Sequence, residues 1–244
     1  MKLLTIFLFT VCFFPDSFAQ FNFLPDTVDN HQILTYTQFT ISYNEEHEQA
    51  DWVAYELNSD EVAMDLPRCD CFASDQNVTT GSATLTDYRS TGFDRGHLSP
   101  AADNNMSLLA NEESFLFSNM SPQLPSFNQG IWAELEKWVR DKADDFDTVY
   151  VVTGPVFVNN LGTIGNNEVT IPGYFYKTLL RFDGNTAKTI AFLLPNVGAV
   201  GNLEDYVVPV NTIETLTGLN FYPKLSNSIE NLVESQHSSS SWGL

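Results

Sequence analysis

The chain reads as an α+β domain. Strand-like runs lie on both sides, in sequence, of a central segment carrying the strongest helical pattern, and no repeat or compositional break marks a linker. At 244 residues, 43% of them hydrophobic, it is long enough for a sizeable core, which excludes disorder throughout.

Ile33 to Tyr43 alternates and is rich in β-branched and aromatic residues, and ADWVAYELN follows an acidic turn; the two predict a strand hairpin. Arg68 to Ser90 is polar and reads as loop, as does the stretch after Pro100. Asn111-Glu112-Glu113-Ser114 predicts the acidic opening of a short helix that carries Phe115 and Leu116. SNMSPQLPSFNQG, with two prolines and a glycine, reads as a connector. In QGIWAELEKWVRDKADDF, Ile131, Leu135, Trp138 and Val139 recur at helical spacing. DTVYVVTGPVFV is an apolar run typical of a buried strand; YFYKTLLRF and KTIAFLLP read as two more, joined by a turn at Asp183-Gly184-Asn185. PVNTIETLTG predicts a short helix ended by Gly218, and the serine-rich tail from Glu230 is expected to fray.

The first 19 residues have one lysine, an apolar run from Leu3 to Phe14 and a small-residue site ending at Ala19. This reads as a secretory signal peptide, so residues 20–244 are expected as a single domain that is secreted or periplasmic, with no membrane partner. Cys12 leaves with that peptide, and Cys69 and Cys71 remain as a C-x-C pair. One intervening residue makes a strained bridge and supplies half a zinc site, so neither a disulfide framework nor a structural metal is indicated and their redox state is open.

The formal net charge of −20 survives cleavage, because Lys2 and Asp16 cancel. Such a body repels polyanions at long range. Yet Arg68, Arg89, Arg95, Lys137, Arg140 and Lys142 crowd the middle third, which is read either as chance with ordinary surface pairing or as a local cationic cleft in an acidic body. Hydrolysis of a phosphodiester needs a base, a cation to absorb charge and donors to orient phosphate. His97 follows Asp94-Arg95-Gly96, and its near-neutral intrinsic pKa suits proton transfer. His31, His47 and His237 lie in polar ends of the chain and are read as structural.

DYRSTGFDRGHLSPAAD, then SNMSPQ and FNQGIWAELEKWVR, resembles the DNA/RNA non-specific endonuclease family, the Serratia nuclease and endonuclease G type. YVVTGPVF, AFLLPN and TIETLTGLNFYP extend the resemblance in order along most of the chain. It implies the ββα-metal nuclease fold, with a central antiparallel sheet and flanking helices. By the same resemblance His97 matches the general base and Asn128 the protein ligand of a divalent metal, Mg2+ with Mn2+ or another divalent cation as substitutes. Arg68 matches an arginine that grips phosphate. Glu136 and Arg140 match residues beside metal and phosphate, a role the resemblance favours over the alternative of a surface i,i+4 ion pair between them. Along a straight helix Glu136 lies about 12 Å from Asn128. Asn119 matches a second asparagine near the site, and Asp94 and Arg95 are expected to hold the loop rather than touch substrate.

The activity implied is a secreted, metal-dependent endonuclease acting on DNA and RNA with little sequence specificity and leaving 5′-phosphate ends. Some relatives form dimers, so a homodimer is compatible. The alternatives are a non-catalytic nucleic-acid-binding relative and an exported phosphodiesterase for small substrates. Asn119-Met120-Ser121 is also a glycosylation acceptor pattern, and a glycan there would block the site, which favours a bacterial periplasm or medium.

Overall fold

The computed structural model describes residues 23–26, 30–182, 186–198, 200–236 and 239–244. The signal-peptide segment, the turn at 183–185 and His237 lie outside the described residues.

Eleven strands are distributed over three sheets among those residues. They are β1 (Gln32–Thr35), β2 (Thr40–Asn44), β3 (Gln49–Asn58), β4 (Asp94–His97), β5 (Met120–Gln123), β6 (Thr148–Val156), β7 (Thr163–Ile164), β8 (Val169–Thr170), β9 (Tyr174–Phe182), β10 (Ala187–Pro195) and β11 (Val207–Val208). The α-helices are α1 (Ser59–Val62), α2 (Leu85–Tyr88), α3 (Leu108–Ser114), α4 (Pro125–Phe127), α5 (Ala133–Phe146), α6 (Val210–Thr217) and α7 (Asn227–Glu234).

The main sheet runs β1-β2-β3-β6-β9-β10-β11, and every pairing in it is antiparallel. Its central strands are buried on both sides, and the period-two alternation sorts their side chains between two cores. Tyr55, Leu57, Phe175 and Leu179 pack with Trp132, Leu135 and Val139 beneath α5. Trp52, Ala54, Tyr176 and Leu180 pack with Val210, Ile213 and Phe221 from the α6 side. Burial on both faces is why these strands read as apolar runs. Gly218 closes α6 at φ +73°, a left-handed position suited to glycine.

Several sequence expectations are corrected. The run from Ile33 to Tyr43 is two strands, β1 and β2, paired as a hairpin, with β3 added next. α3 begins at Leu108, where the Ser107 side chain caps the Ala110 amide; Asn111–Ser114 ends that helix rather than opening it. The connector holds β5, which pairs with β4 in the register His97↔Met120 and Arg95↔Pro122. A four-residue edge strand tolerates Pro122, because a ladder donor is lost at one position only. The tail carries α7 and a final turn, and Trp242 anchors it at 1% exposure with its indole N–H donating to the Thr189 carbonyl. Cys69 and Cys71 are joined in a disulfide that closes around Asp70.

Candidate active site

Three segments meet at the end of β4. A backbone bridge between Ala73 and Leu116, with Ala73 N–H donating to Phe115 O and Phe117 N–H to Ala73 O, draws the segment behind Cys71 against the end of α3. Phe72 and Phe115 then meet edge to face, their centroids 5.0 Å apart. This aromatic wall surrounds His97. The imidazole lies 4.9 Å from Phe115 at 89° and 6.0 Å from Phe72. Each ring also carries a guanidinium: Arg68 stands 4.7 Å over Phe115, and Arg95 stands 4.1 Å over Phe72.

His97 is 7% exposed, and its Nε2 is buried without a hydrogen-bond partner among the described residues. Burial first, then the charges of Arg68 and Arg95, lower its pKa to about 3, so the ring is neutral at physiological pH. The backbone beneath it is clamped. Trp132 Nε1 donates to the His97 carbonyl at 3.3 Å, Leu98 N–H donates to Asn119 O, and Lys177 Nζ donates to Leu98 O at 3.4 Å. The Asn119 amide accepts from Ser99 N–H at 2.9 Å and donates to the Ser99 and Ser114 carbonyls, each at 2.8 Å. At 0% exposure Asn119 is a backbone clamp, and its amide nitrogen is not open to a glycan in the folded chain.

Asn128 stands at the entry to α5, in a π-type turn from Asn128 to Trp132 that Gly130 breaks with φ −106° and ψ −115°. That break invalidates the straight-helix spacing from Asn128 to Glu136. Asn128 Nδ2 donates to Asp94 Oδ2 at 2.9 Å, and Gln129 Nε2 donates to the same oxygen at 2.8 Å. The amide is thereby oriented with Oδ1 as its remaining donor atom for a cation. Among the described residues no group of three or more His, Cys, Asp or Glu is placed to hold a metal. A single neutral oxygen fits a hard divalent ion that keeps most of its waters, such as Mg2+, and does not fit zinc.

Arg140 does not pair with Glu136 but with Asp103, Nη1 to Oδ1 at 2.8 Å, and Tyr55 OH donates to Asp103 Oδ2 at 2.8 Å. Burial raises the Glu136 carboxyl, opposed by Lys177, while Asp103 adds to the rise. Arg68 is half exposed and bonds Asp70 at 2.7 Å within the disulfide loop, which Asn111 pins by accepting from Cys69 N–H at 3.0 Å. The cationic cleft is narrower than its composition suggested, because Lys137 bonds Asp141 on the exposed side of α5, while Lys142 bonds Asp145 and packs over the rings of Trp138 and Phe146. Beside Asp94 and Arg95 a cleft of about 390 Å³ is lined by Leu85, Tyr88, Arg89 and Phe93. His31 pairs with Asp51 and His47 stacks on Phe157, so each has a structural partner.

Sequence reasoning missed Phe72, Tyr55, Asp103, Trp132 and Lys177. The signal for Lys177 was a lone cation inside the apolar run YFYKTLLRF, and for Phe72 an aromatic four residues after Arg68.

A family model described as DNA/RNA non-specific endonuclease matches residues 20–228. Mitochondrial endonuclease G of Homo sapiens is 34% identical over 209 residues, 80% of this chain and 70% of that protein. A nuclease of Nostoc sp. is 33% identical over 222 residues, covering 86% of this chain and 80% of that one. Nuclease C1 of Cunninghamella echinulata is 35% identical over 208 residues, covering 78% and 82%. The crystal structure of an EndoG/EndoGI complex superposes with a TM-score of 0.76 at 26% identity, covering 81% of this chain and 88% of that chain.

Proposed function

The chain belongs to the DNA/RNA non-specific endonuclease family, and from that premise we propose a metal-dependent endonuclease that hydrolyses both DNA and RNA and leaves 5′-phosphates. The observation that carries the reading is the link through Asp94: the strand that ends in the dry, neutral His97 is hydrogen-bonded to the amide of Asn128 at 2.9 Å.

His97 Nε2 is sealed off, so proton exchange falls to Nδ1, which takes a proton from the attacking water. The water oxygen bonds to phosphorus in line with the P–O3′ bond, which breaks with its electron pair on O3′; O3′ takes a proton from solvent water, leaving a 5′-phosphate and a 3′-hydroxyl. Arg68 and, in place of the loop-holding role expected of it, Arg95 rest on Phe115 and Phe72 and offer guanidinium donors to the phosphate oxygens without crowding the imidazole. Asn128 would hold the divalent ion through Oδ1, and when bound that ion supplies positive charge to the phosphate and the departing oxygen. Glu136 and Arg140 border the site, with Asp103 holding the arginine. Recognition through phosphate rather than base edges makes cleavage indifferent to sequence.

The apolar leader and the Cys69–Cys71 disulfide both suit export to an oxidising compartment, secreted or periplasmic. Plasmid DNA and RNA, incubated with purified protein in magnesium or with chelator beside His97→Ala, test the activity. Intact polymers after incubation of the wild type in magnesium would overturn it.

A further inference from the structure

Lys177 is the only lysine or arginine among the described residues that is buried, at 0% exposure. It sits mid-strand on β9, which is flanked on both sides by β6 and β10, opposite Thr153 and Phe192. Phe175 and Leu179, two residues either way, share its face and belong to the core beneath α5. An apolar side chain there would continue that core. An ammonium instead loses its hydration, and among the described residues it has no carboxylate within salt-bridge distance to offset the loss. Stability therefore does not explain it.

Its neighbours belong to the catalytic machinery from three directions. Nζ donates to the Leu98 carbonyl, one residue past the base, at 3.4 Å. It lies 4.8 Å over the ring of Trp132, whose indole N–H donates to the His97 carbonyl, and 5.9 Å from the ring of Tyr55, which bonds Asp103. Its charge acts on Glu136, Asp103 and Arg140. Lys177 thus touches the exit of the base strand and the ring of Trp132, in the turn that follows Asn128, and its charge is felt by Glu136 on α5.

Resting on the nuclease reading above, we propose that Lys177 is a positioning residue: its buried ammonium holds the His97–Leu98 backbone, Trp132 and the Glu136 carboxylate in a single arrangement. It touches neither substrate nor metal. Glu136 is the group through which its charge acts.

Lys177→Met, Glu136→Gln and the double variant form the test, with Lys177→Gln as a second single variant that keeps a donor toward Leu98. Lys177→Met is expected to stay folded at the assay temperature, and its thermal melt, recorded beside activity, gives the folded fraction on which turnover is read. Its kcat on plasmid DNA falls about 10- to 100-fold with KM within about threefold, and Lys177→Gln recovers part of the loss. In the Glu136→Gln background the same substitution costs less than about threefold more, because the two act as one unit. The ring resonances of His97, followed by NMR, shift in Lys177→Met. Wild-type turnover in Lys177→Met, an equal loss in both backgrounds, or a loss that tracks the unfolded fraction overturns the inference. A wild type that cleaves neither polymer removes the nuclease reading instead, and an unmoved His97 resonance then overturns the positioning on its own.

Discussion

Asp94 Oδ2 and Asn128 Nδ2 are 2.9 Å apart, so the first residue of the strand that ends in His97 fixes the rotamer of the amide at the entry to α5. Gln129 donates to the same oxygen, which makes Asp94 a two-pronged anchor. Replacing a partner that orients a metal ligand costs about 10- to 100-fold in metal affinity. Asp94→Ala is expected to raise the half-maximal magnesium concentration by that factor, with kcat at saturating magnesium changing less. A magnesium titration that superimposes on wild type would show that the anchor is dispensable.

His97 makes the pH dependence unusual. Its pKa is lowered from 6.5 to about 3 by burial and then by Arg68 and Arg95. The base is already unprotonated near neutrality, so kcat/KM should carry no acid limb at the ordinary histidine value. Arg95→Gln removes one of the opposing charges and moves any acid limb upward. Stability follows with the opposite charge bookkeeping. Between about pH 3 and 6.5 the unfolded chain binds a proton that the folded chain refuses, so stability falls as pH drops through that window. Urea midpoints measured from pH 4 to 7 should therefore vary less in His97→Gln; parallel curves for the two proteins would refute this.

Much of the fold was legible because of two-sided burial. Strands such as β9 and β10, packed under α5 on one face and against α6 on the other, show as apolar, β-branched runs whatever their topology. His97 and Asn128 were found by the order of sequence blocks, since nothing local marks Asn128; its distinguishing contact is with Asp94, 34 residues earlier. The wall around His97 was hidden for the same reason. Phe72 and Phe115 come from a loop and a helix end joined by one parallel bridge, and no periodicity predicts such a contact. The tail misled by its serine content, because one buried tryptophan, Trp242, anchors a segment whose composition reads as frayed.

Gly96 is set by packing rather than by backbone angle. A Cβ there would run into the side chain of Gln123, which is itself fully buried across the β4–β5 pair. Gly96→Ala must push Gln123 out of its place or part the two strands, a change that typically costs about 1–3 kcal/mol. Denaturant unfolding should report a loss of that size, together with lower turnover, because His97 is the next residue. A variant within about 0.5 kcal/mol of wild type would mean that the pair has slack.

Glu234 is 3% exposed on α7, and its Oε1 has no hydrogen-bond partner among the described residues. Burial, then Glu214 and Glu230, raise its carboxyl to about 8. The folded chain therefore holds a proton that the unfolded chain releases between about pH 4.5 and 8, so this group's effect is to lower stability as pH rises through that range. Glu234→Gln removes the liability. At pH 8 it should be more stable than wild type by on the order of 1–2 kcal/mol, with the two proteins equal near pH 4.5. Calorimetry at both pH values decides the matter; a gain that does not depend on pH would trace to packing instead.

Arg89 bears on how a chain of net charge −20 meets a polyanion at all. Long-range repulsion opposes the encounter, so the attraction must come from cations close to the cleft, where screening acts least. Arg89 lines the cleft beside Asp94 and Arg95 with the half-buried ring of Phe93, a surface suited to the nucleotide next to the scissile phosphate. One phosphate contact contributes roughly 0.7–0.9 to the slope of log affinity against log salt. Arg89→Ala is expected to raise KM for DNA several-fold at low salt, to flatten that slope by about one contact, and to change kcat less. Equal salt slopes for the variant and the wild type would place the incoming strand on the other side of His97, toward Arg68 and the disulfide loop.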